Sequence, residues 1–479
     1  MPSPLIRGKS CFMSRSQSSP LEVTRSLLNC AKASGFDFGA DTALVAVQHM
    51  LEQTVDLFST IVDMGLSVKN IFALGKIYSN SRPVIRTLCD MGVTVVESTV
   101  PAPGEFHSYF RQDVDTLWQL TAEVLSHRQV KRILVLDDAG VCITRVPPEI
   151  LQRYSLCGVE QTSSGTFLFE EQPPPFAVIS WARAAVKLEI GGPIFSQCLV
   201  EKFNTELAAR SLAGEQLGII GLGSIGKAVA SLAMREGKHA LFYDPDPDLR
   251  IPFSLREKIT RVETLEELML RCDYVIGCSG RNPFKGKWPL DHRPGIRLIS
   301  ASGGDQEFGP IITDLKDKPD FRVAPDTWDI TSKYGPSGPI RIAYLGYPYN
   351  FMSRSSEAVP TTIVQLETGG LLAALVQARL HLDLCETGHE RSSGIQRMSP
   401  EAQHYVYEMW LRTMRVRNID IVERFNYDST TLSAAHHDRW FIEHTKPSPG
   451  EHYKPIGRLE EMMSQFVYAG DVIQVGART

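Results

Sequence analysis

Short apolar runs alternate with amphipathic segments over most of the chain. The runs Ile71 to Leu74, Val93 to Val96 and Ile133 to Leu136 predict strands, and helical spacing at 81–91 and 113–126 predicts helices between them. Apolar residues also recur at helix-like spacing before these runs, which predicts a helical segment over residues 21–72. Strands that alternate with helices are typical of a mostly parallel sheet with helices on both faces.

A second alternation follows two breaks, the proline run 173–175 and Gly191-Gly192-Pro193. Its predicted strands are Leu217 to Ile220, Ala240 to Tyr243, Tyr274 to Cys278, Arg297 to Ala301 and Ile340 to Leu345. Residues 361–380 then form a long apolar segment that predicts a buried helix. The predicted fold is therefore α/β, with two doubly wound parallel-sheet domains and a C-terminal extension.

The two breaks also predict the domain boundaries. Residues 1–20 are expected to be a disordered tail, although their basic, serine-rich and acid-free composition also fits a transit peptide. Residues 21–190 and 346–384 form a discontinuous first domain, and residues 191–345 are inserted as the second. Residues 385–479 are interpreted as the extension, because their composition changes and their periodicity weakens.

Composition narrows the class of protein. Hydrophobic residues make up 43% and charged residues 22% of the 479, which is ordinary for a globular protein. The net charge of −5 argues against general attraction to nucleic acid, and no apolar stretch is long enough to span a bilayer. Nine scattered cysteines without a CxxC pair favour a reducing compartment. We therefore expect a cytoplasmic protein with neither a nucleic-acid nor a membrane partner.

A glycine-rich fingerprint follows the apolar run that ends at Ile220. It reads Gly221-Leu222-Gly223-Ser224-Ile225-Gly226 and precedes a helical pattern. In such a loop the first glycine permits a tight turn, the second admits a pyrophosphate, and the third lets helix and strand pack closely. Asp244 ends the next predicted strand about 20 residues on, where a carboxylate binds the ribose 2′-hydroxyl and disfavours NADP. This context predicts a Rossmann NAD-binding domain over 191–345, and the alternative is a glycine turn that packs a helix without a ligand.

Four further segments, taken in their order along the chain, resemble the adenosylhomocysteinase family. They are Val47-Gln48-His49-Met50, Leu136-Asp137-Asp138-Ala139-Gly140, Gly158-Val159-Glu160-Gln161-Thr162-Ser163-Ser164-Gly165 and Gly346-Tyr347-Pro348. The resemblance covers residues 23–380. It implies NAD-dependent chemistry in one-carbon metabolism, in which oxidation of a ribose 3′-hydroxyl acidifies the neighbouring C–H bond. It also favours a homo-oligomer, a dimer or a tetramer, acting on a small-molecule substrate.

The resemblance implies roles for individual residues. Lys187 would assist oxidation of the hydroxyl, and His49 and Asp138 would be the catalytic histidine and acid on the substrate side. Thr162, Ser163 and Ser164 would hold the nicotinamide half of the cofactor, and Cys278 and Ser279 complete the predicted cofactor set. From the residues alone, Lys187 also fits a solvated lysine and His49 a hydrogen-bonded core histidine.

Several family positions carry other residues in this chain. Gln161 stands where the family has a catalytic glutamate, Tyr347 where it has a histidine, and Gln53 where it has the carboxylate that reads adenine; all three are predicted to line the substrate pocket. Gly191 and Gly192 replace an Asp-Asn pair. Because each acid–base group contributes typically about 10²–10⁴ in rate, ordinary adenosylhomocysteine hydrolysis is not expected.

Two readings of function remain open. One is a divergent NAD-dependent enzyme that oxidises a hydroxyl of a nucleoside or sugar-like substrate. The other is a catalytically silent, NAD-responsive regulatory or binding protein. No metal site is predicted, because the histidines and acids within residues 436–444 match no strong ligand spacing.

Overall fold

The computed structural model describes residues 21–198, 201, 215–235, 237–249, 251, 255–284, 286–351, 359–386, 393–422, 429–435, 438–445, 459 and 462. The predicted tail, residues 1–20, lies outside them, as do His436 and His437. Within the described residues, no group of three or more metal-type side chains is present.

The strands form two sheets. Strands β1–β6 are Thr42–Gln48, Ile71–Gly75, Thr94–Val96, Arg132–Asp137, Ser155–Glu160 and Ala177–Ser180. Strands β7–β15 are Leu217–Ile220, Ala240–Tyr243, Ile259–Arg261, Tyr274–Gly277, Ile296–Ser300, Arg322–Val323, Ile330–Gly335, Gly338–Ile342 and Gly394–Arg397. The first sheet is parallel throughout, in the order β15-β6-β5-β4-β1-β2-β3, and the second runs β12-β13-β14-β11-β10-β7-β8-β9. The α/β fold class with two doubly wound sheets is confirmed.

Helices cover both sheets. In the first part of the chain, α1–α7 are Glu22–Ala33, Glu52–Asp63, Arg82–Met91, Phe106–Ser126, Val141–Thr144, Pro148–Arg153 and Ser163–Glu171, and Val186–Gly191 forms a π-helical turn. Helices α8–α10 are Ser224–Arg235, Leu265–Arg271 and Gly309–Leu315. Helices α11–α14 are Thr361–Glu386, Pro400–Val416, Ser429–Ala434 and Asp438–His444.

The helical prediction for residues 21–72 is wrong in its centre. Residues 42–48 form β1, an interior strand of the first sheet between β4 and β2, and all seven are buried. A strand covered on both faces is apolar at consecutive positions, so its sequence lacks the alternation that separates strand from helix. Helix α2 begins only at Glu52.

The two sheets share one strand order around their centres. The orders β3-β2-β1-β4-β5-β6 and β9-β8-β7-β10-β11-β14 are both of the 3-2-1-4-5-6 type. In such sheets the order reverses between the first and fourth strands, and ligands bind outside the carboxyl ends of the strands at that switch point. The switch points lie between β1 and β4 and between β7 and β10.

Part of the residues assigned to the extension packs on the first sheet. Strand β15 pairs with β6, and α12 packs against α11 and α1. The indole Nε1 of Trp410 donates a hydrogen bond to the Thr362 carbonyl at 3.0 Å. The long helix α11 is thereby buried along most of its length. None of the described helices has both the length and the apolar character needed to cross a membrane, and the predicted domain boundaries stay a prediction.

Candidate functional site

The glycine-rich loop joins β7 to α8 at the second switch point. Gly221 has a φ of +87°, and a Cβ there would lie 2.8 Å from the Cα of Ser279. A Cβ on Gly226 would lie 2.0 Å from the Gly221 carbonyl oxygen. Among the described residues, a Cβ on Gly223 would meet nothing within 4 Å. The protein itself therefore requires the first and third glycines, whereas the second borders open space, as a loop that admits a pyrophosphate does.

Asp244 follows β8 and reaches back to this loop. Its Oδ2 accepts a hydrogen bond from the Leu222 amide at 2.7 Å, and its Oδ1 accepts one from the Asp246 amide at 3.0 Å. The carboxylate is half-buried, and each oxygen keeps a second lone pair. It is fixed beside the glycine loop with acceptor capacity left for a ribose hydroxyl.

The loop after β10 forms the other wall of the second switch point. The Ser279 amide and hydroxyl donate hydrogen bonds to Glu307 Oε1 at 2.6 and 2.8 Å. Glu307 is fully buried, and burial raises the pKa of its carboxyl to about 7. Cys278 is buried, its Sγ lies 3.8 Å from the Ile276 carbonyl, and burial raises the pKa of its thiol. The Cys278 thiol is thus a core group, and Ser279 is the residue of this pair at the loop surface.

At the first switch point, Asp138 stands just beyond β4 and is surrounded by donors. Lys76 Nζ forms a buried ion pair with Asp138 Oδ1. Gln161 Nε2 donates to Asp138 Oδ2 at 2.6 Å, and His49 Nε2 lies 3.2 Å from the same oxygen. Burial favours a higher pKa for Asp138, but the Lys76 ammonium and His49 outweigh it and hold the pKa well below its usual range. Asp138 is accordingly expected to be ionised at neutral pH, and it accepts hydrogen bonds.

His49 is held on several sides. Its Nδ1 lies 2.6 Å from Ser79 Oγ, and its ring stacks on Phe351 with centroids 4.7 Å apart. Tyr78 lies 6.0 Å away, measured between ring centroids. Because both ring nitrogens have partners, the imidazole is oriented by the protein and not by a ligand.

Two further acids lie behind Asp138. Asp137 and Glu160 are register partners on β4 and β5, both are buried, and each has one oxygen without a hydrogen-bond partner. Burial raises the pKa of Asp137 to about 7 and raises that of Glu160 well above its usual value. The pair is therefore expected to hold a proton near neutral pH.

Lys187 lies in the π-helical turn and reaches the same region. Its Nζ donates to the Gln161 carbonyl oxygen at 2.6 Å and forms an ion pair with Glu367 Oε1. The turn leads to Gly192, whose Cβ position lies 3.9 Å from Ser224 Oγ in the glycine loop. The turn that carries Lys187 therefore runs from a contact with Gln161 towards the glycine loop of the second sheet.

The other predicted residues are less closely joined. Thr162 caps α7: its side-chain oxygen accepts a hydrogen bond from the Gly165 amide at 3.0 Å, and its hydroxyl donates one to Glu160 at 2.6 Å. Ser163 is exposed, and Ser164 is half-buried. Tyr347 is buried, with its ring centroid 5.2 Å from that of Tyr78. Gln53 lies half-buried in the first turn of α2 and makes no hydrogen bond to the Asp138 cluster within the described residues.

The structure thus brings His49, Asp138 and Gln161 into one cluster and adds Lys187 through a backbone contact. Sequence reasoning missed the partners Lys76, Glu367 and Glu307. Lys76 had a usable signal, because it directly follows β2 at the carboxyl edge of the sheet. Glu367 lies 180 residues from Lys187, and no spacing rule joins them.

Comparison with known proteins supports the prediction that the second sheet belongs to an NAD-binding domain. Residues 196–283 match the family model described as D-isomer specific 2-hydroxyacid dehydrogenase, NAD binding domain. The matched segment contains the glycine loop, Asp244 and Ser279. The prediction of NAD as the cofactor is confirmed. The protein contains an NAD-binding domain of the dehydrogenase type, and such a domain takes a small-molecule ligand.

Two curated relatives resemble a larger part of the chain. Both are named as uncharacterized proteins, from two strains of Mycobacterium tuberculosis. Each is 26% identical over 316 residues, which covers 64% of this chain and 58% of the relative. The chain therefore spans little more than half the length of the relatives it matches.

Proposed function

We propose that this protein is an NAD-dependent enzyme that oxidises a hydroxyl group of a nucleoside or sugar-like substrate and does not carry out ordinary adenosylhomocysteine hydrolysis. The observation that carries the proposal is the environment of Lys187. Its ammonium is held by Gln161 and Glu367, and its helical turn runs on to the glycine loop. The resemblance to adenosylhomocysteinases assigns hydroxyl oxidation to this lysine.

The residues fit NAD at the second switch point. The open side of Gly223 admits the pyrophosphate, Asp244 would bind the adenosine ribose, and Ser279 with Thr162, Ser163 and Ser164 would hold the nicotinamide half. Bound NAD supplies a hydride acceptor.

The chain's own groups would then act on the substrate hydroxyl. Loss of the C–H hydrogen with its electron pair to the acceptor would turn the C–O single bond into a carbonyl. Lys187 would release a proton to the Glu367 carboxylate as it takes up the hydroxyl proton. Asp138, kept ionised by Lys76, would accept a hydrogen bond from a second substrate hydroxyl. His49, Gln161 and Tyr347 would shape the pocket around the sugar.

The loss of later acid–base groups supports the restriction to oxidation. Gln161 has an amide where the family has a glutamate, and this amide is committed to Asp138 and Gln48. An amide does not take up a proton near neutral pH, so the proton transfers that follow oxidation in the family lack this group.

The test is the redox state of the cofactor. The protein, saturated with NAD, is incubated with adenosine, adenosylhomocysteine or ribose and then denatured, and the released dinucleotide is measured as NAD⁺ or NADH. We expect NADH with at least one hydroxyl substrate, and none with Lys187→Ala. Lys333→Ala, an exposed lysine of β13, is the matched control and should behave like the wild type. Equal NADH from Lys187→Ala and the wild type would overturn the assignment of Lys187.

One observation favours a second candidate, a catalytically silent NAD-responsive regulatory or binding protein. All the polar atoms that Asp138 and His49 present are engaged within the chain, and Phe351 covers one face of the imidazole. This candidate predicts that NAD raises the melting temperature while no nucleoside or sugar produces NADH. Free thiol released from adenosylhomocysteine would instead indicate hydrolysis.

A further inference from the structure

Two arginines share one aromatic ring, which Phe167 on α7 provides. The guanidinium carbon of Arg281, in the loop after β10, lies 3.7 Å from the ring centroid of Phe167 on α7. The guanidinium carbon of Arg183, just after β6, lies 6.0 Å from the same centroid. The two cations are therefore within about 10 Å of each other, close to the Debye length at 0.1 M salt.

Little negative charge offsets this pair. Arg281 is exposed and forms no ion pair with a described acid, and Arg183 has only Glu170, at 3.8 Å and 45% exposed. Arg183 Nε is buried and has no hydrogen-bond partner among the described residues. A guanidinium has five N–H donors in one plane, and their geometry matches that of a carboxylate or a phosphate.

The loop that carries Arg281 is firmly held. The Arg281 amide donates to Ser279 Oγ at 3.2 Å, and the Gly280 amide donates to Ser302 Oγ at 3.0 Å. Ser279 Oγ also lies 2.9 Å from the Arg281 carbonyl oxygen. A fixed backbone and a stacked side chain reduce the entropy lost when an anion binds. The arrangement is thus organised before a ligand arrives.

We propose that Arg183 and Arg281 together bind an oxyanion, a carboxylate or a phosphate, carried by the substrate. Arg183 lies four residues before Lys187, which limits the distance between their Cα atoms to about 14 Å. One end of a substrate could therefore bind here while its hydroxyl is presented to that lysine. This inference rests on the proposed function for the identity of the site, and it narrows the substrate from sugar-like molecules in general to acidic or phosphorylated ones.

The test compares three probes that differ at one end. Ribose, ribonate and ribose 5-phosphate are titrated by calorimetry into the full chain saturated with NAD. We expect at least one of the two anions to bind roughly 10-fold or more tightly than ribose. Arg281→Gln and Arg183→Gln should each remove most of that advantage, and the stronger anion identifies carboxylate or phosphate as the natural group. Arg271→Gln, an exposed arginine paired with Glu267, is the control and should leave the preference unchanged.

Three outcomes would overturn the proposal. They are equal binding of ribose and both anions, no detectable binding of either anion, and an anion advantage that survives in both arginine variants. A fourth, loss of NAD affinity in Arg281→Gln with the anion preference intact, would assign this arginine to the cofactor. This experiment measures binding, so its result is independent of the redox test. An arginine-dependent preference for an anion without NADH formation would support the anion site and contradict the redox step. NADH formed equally from ribose and the anions would support the redox step and contradict the anion site.

Discussion

The two switch points have the same strand order and opposite chemistry. At β7 and β10 the edge is lined by backbone: Gly223 borders open space and the adjoining carboxylates hold main-chain amides. At β1 and β4 the edge is lined by charged side chains that satisfy one another, with Lys76, His49 and Gln161 gathered on Asp138. The same strand order therefore supports two different sites. One is a glycine loop with space for a ligand, and the other is a side-chain cluster whose members bond to one another.

The difference shows that a site built from backbone and a site built from charged side chains have different requirements. A backbone cradle needs only glycine and a helix start, and it serves any protein that binds a dinucleotide. A side-chain cluster must neutralise its own buried charges before a substrate arrives, because an unpaired buried charge costs several kcal/mol. The first switch point is consequently the more sensitive of the two to single substitutions.

The largest effect is expected at the buried ion pair. Lys76→Met leaves the Asp138 carboxylate buried without its ammonium, which should cost about 3–5 kcal/mol of unfolding free energy. Denaturant unfolding measures it, and the double variant Lys76→Met/Asp138→Asn should recover part of the loss. Arg145→Met breaks a half-exposed pair with Asp115 and should cost less than about 1 kcal/mol. A double variant no more stable than Lys76→Met alone would show that the two groups are not coupled.

A smaller effect is expected at the glycine loop. There, one variant should lower both stability and NAD affinity, and another should lower NAD affinity alone. Gly226→Ala puts a methyl group against the Gly221 carbonyl and should cost about 1–3 kcal/mol as well as NAD affinity. Gly223→Ala meets open space, so it should keep the melting temperature and weaken NAD binding alone. Thermal unfolding with and without NAD distinguishes the two variants. If Gly223→Ala binds NAD as the wild type does, the open side of this glycine is not where the pyrophosphate lies.

The adjacent acids Asp137 and Asp138 are expected to affect the pH dependence of stability in opposite directions. Burial raises the pKa of Asp137 to about 7 in the folded protein, so the native state keeps a proton that the unfolded chain releases above about pH 4. Its contribution to stability is present below about pH 4 and is lost as pH rises towards 7. Asp138 has the opposite sign, since its lowered pKa gives stability that is lost only below about pH 4.

Asp137→Asn tests that assignment. The amide cannot release a proton, so the fall in unfolding free energy between pH 4 and 7 should become shallower, by at most about 1.4 kcal/mol per pH unit. Urea unfolding at several pH values gives the slope. Identical slopes for the variant and the wild type would contradict a protonated Asp137.

The same contrast explains what the sequence predicts well. The glycine loop and Asp244 are local, about 20 residues apart, and their spacing is fixed by one strand, one helix and the next strand. The neighbours of Lys187 and Asp138 come from four separate parts of the chain, and Glu367 reaches Lys187 from a helix 180 residues away. Such contacts follow from tertiary packing, which periodicity does not encode. Strand β1 was missed for a related reason, because its seven buried residues give no alternation.

The smallest effect concerns the choice of cofactor at the backbone-lined switch point. Asp244→Ser removes the carboxylate expected to bind the 2′-hydroxyl, which should weaken NAD binding roughly 10-fold and lessen the repulsion of a 2′-phosphate. The ratio of NAD to NADP affinity, measured by fluorescence titration, should therefore fall. Asp246→Ser, an exposed acid two residues on, is the matched control and should leave the ratio unchanged. An unchanged ratio in Asp244→Ser would mean that Asp244 serves only to hold the Leu222 and Asp246 amides, and that this switch point, like the first, uses its carboxylate within the protein.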